Sequence, residues 1–82
     1  IYCVRVEDRE GFMEHLNNNQ VQCGIHYPIP IEMTKPYSDY GKKFNNQICR
    51  TVSSELVSLP MHPFMSQEDM SRVCDVINDW NL

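Results

Sequence analysis

Hydrophobic and polar residues alternate from the start of the chain. Tyr2, Val4 and Val6 fall on one side and Ile1, Cys3 and Arg5 on the other, the period of a half-buried strand over residues 1–7. The period then changes. Asp8 is a good N-cap, and Phe12, Met13 and Leu16 form the apolar stripe of a helix running to about Asn18. Asn17-Asn18-Asn19 ends it, since asparagine tolerates left-handed backbone, and Asn19 is expected to supply the positive φ. Residues 21–27 read as a second strand, rich in β-branched positions and stopped by Pro28 and Pro30. Because a proline pushes the residue before it toward extended geometry, Tyr27 and Ile29 are extended and no helix begins before Pro30 is passed.

Further on, residues 28–34 form a Pro-rich loop and residues 35–43 a short helix or turn around Tyr37 and Tyr40. Asn45-Asn46 is a loop signal, residues 47–54 a short helix, and residues 56–59 a third strand closed by Pro60. Residues 61–65 bend at Pro63. Ser66 and Asp69 then make a capping box for the last helix, whose stripe is Met70, Val73, Cys74, Ile77 and Trp80, read as core packing rather than a partner face. Strand–helix–strand–helix–strand–helix at this length predicts an α/β (α+β) two-layer sandwich. Its sheet is small, mostly antiparallel or mixed, of about three strands, with helices on one face.

Composition narrows the function classes. A chain of 82 residues is one domain, 1–82, and buries only about 60% of its unfolded surface. With no alanine, its helices depend on tertiary packing. A net charge of −4 without a basic stripe argues against nucleic acid, and Lys42-Lys43 reads as a solvated turn. No apolar run is long enough to span a bilayer, and no secretory signal opens the chain, so a cytoplasmic protein is expected. The start at Ile1, apparently inside a strand, suggests a piece of something longer. Cys3, Cys23, Cys49 and Cys74 could form disulfides on number alone, but their wide spacing suits reduced, buried thiols. Cys23-x-x-His26 is half a zinc site without a second ligand pair.

The sharpest candidate chemistry is in Gly24-Ile25-His26-Tyr27-Pro28-Ile29-Pro30, which delivers an imidazole and a phenol side by side at a strand end leading into a stiff loop. On the residues alone, a structural strand end is the more ordinary reading, with Tyr27 buried and His26 bonded to nearby backbone. Imidazole can also hydrogen-bond sugar hydroxyls or phosphate oxygens.

The same stretch carries a family resemblance. Val4-Arg5-Val6 and Arg9 precede it; Ile31, Pro36-Tyr37, Gly41, Glu55-Leu56-Val57-Ser58-Leu59-Pro60-Met61-His62-Pro63 and Met65-Ser66-Gln67-Glu68-Asp69-Met70 follow in order. This resembles the C-terminal small domain of DegT/DnrJ/StrS-type nucleotide-sugar aminotransferases, which depend on pyridoxal phosphate. The resemblance implies the small domain of a fold-type I enzyme. It also implies that His26 and Tyr27 face the nucleotide-sugar near the active-site mouth. Glu32 stands at a neighbouring substrate-binding position where relatives commonly carry histidine, and a carboxylate there would repel a diphosphate. Gln20 stands where the family places glycine.

The cofactor lysine and its aspartate partner belong to a large domain absent here, and Lys35, Lys42 and Lys43 do not sit in the family's lysine context. The chain alone is therefore expected to hold no pyridoxal phosphate and not to transaminate. A homodimer is expected from the apolar surface that the missing large domain would cover. The alternative is a free-standing binding or scaffolding module that keeps the fold without catalysis. Of the remaining polar residues, Arg9 reads as a solvated helix-start residue, Arg5 as salt-bridged or cleft-lining, His62 as structural and His15 as surface.

Overall fold

Asp8 opens the first helix as its sequence position suggests, its carboxylate accepting from the Gly11 amide at 3.2 Å. The structure is a computed structural model that describes residues 1–41 and 47–80, with Glu32 and Tyr40 described by backbone alone. In chain order the elements are strand β1 (Tyr2–Arg5), helix α1 (Arg9–Asn18), two 3-10 turns (Ile31–Met33 and Lys35–Tyr37) and helix α2 (Ser38–Gly41). Helix α3 (Gln47–Glu55), strand β2 (Leu56–Leu59) and helix α4 (Gln67–Asn78) complete them. Lys42 and Lys43, and the Asn45-Asn46 loop signal, lie outside the described residues.

β1 and β2 pair antiparallel, Tyr2 opposite Leu59, Cys3 opposite Ser58, Val4 opposite Val57 and Arg5 opposite Leu56. Period two puts Val4, Val57 and Leu59 on one face. That face meets α1 and α4 in a core of Val6, Phe12, Leu16, Val21, Val57 and Val76. Helices and a two-stranded antiparallel sheet thus share one apolar cluster, in agreement with the α/β class. Tyr2 lies on the same face but beyond the helices' cover, 58% exposed, so the expected stripe of residues 1–7 is buried at Val6 and only partly buried at Val4.

The strand expected over residues 21–27 does not form as an element. It is reduced to one bridge, Gly24 opposite Ser58, on the side of β2 away from β1. The cause lies just upstream. Gln20, not Asn19, takes the positive φ (63°), and Asn19 stays at −100°. The Gln20 amide reaches Asn17 O at 3.0 Å and the Val21 amide reaches Leu16 O at 2.9 Å, the paired bonds of a Schellman cap. Val21 packs into the core beside Leu16. Its amide is thereby committed to α1, and pairing with β2 begins only at Gly24.

The last helix starts on its capping box, Ser66 Oγ accepting from the Asp69 amide at 3.0 Å and the Asp69 carboxylate from the Ser66 amide at 3.3 Å. Its inward stripe is Val73, Val76 and Ile77, and Trp80, just past the helix end, continues the same face. Val76 belongs to the stripe, whereas Met70 and Cys74 are exposed, which corrects the expectation for both. Trp80 meets the edge of Phe12, ring centroids 5.7 Å apart.

Two further residues depart from expectation because they tie distant elements together. His15 is half-buried, donating from Nε2 to the Val76 carbonyl at 2.7 Å, with its ring tilted against Trp80. Arg9 donates to the Ser53 carbonyl at 2.7 Å in the last turn of α3, where a cation also suits the helix dipole. Arg5 pairs with Glu55, as expected. The four thiols are unbridged, but they are not buried: Cys3 and Cys74 are exposed and Cys23 and Cys49 half-buried.

Candidate functional site

Gly24 holds Ser58 through both backbone bonds, 3.1 Å from its amide and 2.7 Å to its carbonyl. Beyond it the prolines withhold the donors a longer ladder needs. The chain therefore leaves β2 carrying His26 and Tyr27 into solvent. His26 is exposed and Tyr27 is 70% exposed. Their rings meet edge to face, centroids 5.7 Å apart at 89°. Tyr27 is not buried, and His26 bonds to a side chain rather than to backbone.

That side chain is Ser58. Its Oγ lies 2.7 Å from His26 Nδ1 and 3.4 Å from Cys3 Sγ. Ser58 itself is 7% exposed, so its hydroxyl needs the partners it has. The position escaped the sequence reading, where Ser58 counted only as part of a motif. The available signal was a hydroxyl inside the otherwise apolar strand Leu56–Leu59.

An open cleft of about 220 Å3 lies over this pair, lined by Cys23, Gly24, His26 and Ser58 among others. A second cleft of about 200 Å3, bounded by His62, Asp69 and Arg72, shares Gln22 and Pro60 with it. His62 Nδ1 accepts from the Phe64 amide at 3.2 Å within the 61–65 bend. Both clefts are smaller than the usual 300–1,000 Å3 of small-molecule sites. Among the described residues, neither is lined by a lysine that could hold a cofactor as a Schiff base.

Glu32 lies in the turn Ile31–Met33, and its side chain is outside the described residues. Cys23 Sγ contacts Asn17 Oδ1 at 3.9 Å, and no group of three metal-holding side chains occurs among the described residues. Burial pushes the Cys23 thiol above its ordinary pKa. Nor is any helix among the described residues long and apolar enough to cross a membrane.

Comparison with known proteins places these residues in a wider context. A dTDP-3-amino-3,6-dideoxy-alpha-D-galactopyranose transaminase of Aneurinibacillus thermoaerophilus is 40% identical over 78 residues, 95% of this chain and 21% of that protein. The erythromycin biosynthesis sensory transduction protein EryC1 of Saccharopolyspora erythraea is 31% identical over 74 residues, 89% of this chain and 20% of that protein. A UDP-2-acetamido-2-deoxy-3-oxo-D-glucuronate aminotransferase of Pseudomonas aeruginosa is 27% identical over 78 residues. The chain thus spans about one fifth of the length of the curated relatives it matches. Residues 1–78, from β1 through α4 with His26, Tyr27 and Ser58 inside the matched span, fit the sequence profile of one family, and the chain belongs to the DegT/DnrJ/EryC1/StrS aminotransferase family.

Proposed function

We propose that this chain is the C-terminal small domain of a pyridoxal-phosphate-dependent aminotransferase acting on a nucleotide-linked ketosugar, and that it is not catalytic alone. The observation that carries this is the family match over residues 1–78 by a chain one fifth the length of its relatives. Two of those relatives are named as transaminases or aminotransferases of nucleotide-linked sugars. In this reading the lysine that holds the cofactor lies in the rest of the protein.

His26 and Tyr27 are the residues assigned to substrate. An exposed imidazole and phenol, edge to face on a strand end, can hydrogen-bond sugar hydroxyls or phosphate oxygens from the small-domain side. Glu32 stands beside them in sequence, and a carboxylate would oppose a diphosphate. It is assigned to the substrate-binding loop. The Gly24 bridge is the seed of a third strand, and in the complete protein residues 21–25 extend it to give the three-stranded, helix-covered sheet of a fold-type I small domain.

Two measurements test the division of labour. Mixed with pyridoxal phosphate and reduced with borohydride, the isolated chain should show only scattered surface adducts. A stoichiometric adduct on one lysine would overturn the proposal. The coding sequence upstream of Ile1 separates the enzyme from a free-standing binding module: a large domain with a cofactor lysine supports the former, and a start codon immediately before Ile1 the latter.

A further inference from the structure

We propose that Ser58 is a positioning residue that sets the tautomer of His26, holding Nδ1 as an acceptor and leaving Nε2–H as the ring's donor toward an oxygen of the substrate. This rests on the assignment of His26 to substrate made above. The Ser58 hydroxyl offers one donor and two acceptor lone pairs, and it lies between two groups of unequal strength. His26 Nδ1 is 2.7 Å away and Cys3 Sγ 3.4 Å away. If the hydroxyl donates to Nδ1, its lone pair accepts the weak S–H of Cys3 and each group is matched. In the reverse arrangement Nδ1–H donates to Oγ, and the hydroxyl proton is left to a thiol sulfur, a weak acceptor at the longer distance. The first arrangement places the strong donor on the strong acceptor, so the ring proton resides on Nε2. No described residue forms a hydrogen bond to that nitrogen, and the residue is exposed at the cleft.

Gly24 supplies an independent observation. A Cβ added there would lie 3.2 Å from His26 Cε1, closer than ordinary contact, so the ring would have to shift by a few tenths of an ångström from its place against Ser58. Three features therefore converge on one ring orientation: the buried hydroxyl, the short bond and the bare α-carbon beneath the imidazole. A histidine that merely filled a strand end would need none of them.

The test is the tautomer itself, read from imidazole nitrogen shifts in histidine-labelled 82-residue chain at a pH where His26 is neutral. The wild type should favour Nε2–H over Nδ1–H by about threefold more than Ser58→Ala does, since both tautomers keep a bond to Ser58 and only the weak Cys3 leg separates them. Ser58→Ala should lose that bias, and Ser58→Thr, which keeps the hydroxyl, should restore it. Gly24→Ala leaves both partners in place but displaces the ring, so it should weaken the bias even if Ser58→Ala proves unstable. A wild-type ring protonated on Nδ1, or the same ratio in wild type, Ser58→Ala and Gly24→Ala, overturns the proposal. An intact bias together with an unchanged kcat/KM for His26→Ala in the complete enzyme overturns the substrate assignment but leaves the hydrogen bond standing. The two failures are thereby told apart.

Discussion

Gln20 is the residue on which the end of α1 turns. It takes a left-handed conformation that side chains other than glycine occupy at a cost of about 1 kcal/mol. The cap bonds from Gln20 and Val21 and the burial of Val21 at 4% exposure hold it there. Gln20→Gly should therefore raise stability by about 0.5–1 kcal/mol, read as a higher denaturant midpoint with unchanged slope. A lower midpoint would mean that the glutamine side chain contributes more than its backbone costs.

Gly11 works in the opposite sense. Alanine ordinarily stabilises a helix interior by about 1 kcal/mol over glycine. Here a Cβ would fall 2.3 Å from the Asp8 carboxylate and 3.0 Å from the Trp80 ring. Gly11→Ala should thus destabilise by about 1–3 kcal/mol through overpacking and loss of the cap, and thermal unfolding decides the sign. Among the cysteines, the exposed Cys74 should alkylate before Cys23. Burial raises the Cys23 pKa and so lowers its thiolate fraction at mildly alkaline pH. Mass mapping of a brief iodoacetamide pulse gives the order.

At the scale of elements, what could be read from the sequence and what could not divides along sequence distance. The Asp8 cap, the Ser66–Asp69 capping box and the strand Leu56–Leu59 are local, decided by residues within a turn of one another, and they stand where the pattern placed them. His15 and Arg9 were misread as solvated because their partners, Val76 and Ser53, lie 61 and 44 positions away and leave no local trace. Residues 21–27 have strand composition, but composition does not say which amides a neighbouring helix has already claimed. The α4 stripe was legible in period and off by its edges, since only the packing of α1 decides that Val76 is covered and Met70 is not. In the site, His26 and Tyr27 stood out by their setting among prolines. Ser58 did not, because a lone serine in a strand signals nothing until its burial is known.

Removing the hydroxyl of Ser66 tests the local side of this division. Ser66→Ala leaves the Asp69 amide without its cap partner and should cost about 1 kcal/mol, seen as a lower unfolding midpoint. An unchanged midpoint would mean that the start of α4 is held by packing alone.

The whole molecule is drawn out rather than globular. Its radius of gyration is 15.4 Å, against about 12 Å for a compact chain of this length. Tyr27, Ile29, Ile31, Met33 and Tyr37 are each more than half exposed along one stretch, with Phe64 at 88% elsewhere. Apolar surface on this scale in a small chain asks for cover. On the proposed reading, the rest of the protein supplies it. In isolation a second copy should, so sedimentation at micromolar concentration should show a dimer, and a monodisperse monomer would contradict that expectation.

The proposed function is tested most directly on the full-length protein it implies: kcat/KM for the nucleotide-sugar in wild type, His26→Ala and Tyr27→Phe, each beside its unfolding midpoint. A substrate-facing imidazole requires kcat/KM to fall by about tenfold or more in His26→Ala, the loss expected for one hydrogen bond to a charged or strongly polar group, with the midpoint almost unmoved. Tyr27→Phe separates the hydroxyl from the ring. If kcat/KM is unchanged in both variants, or falls only as stability falls, His26 and Tyr27 do not meet the substrate and the account is wrong at its centre.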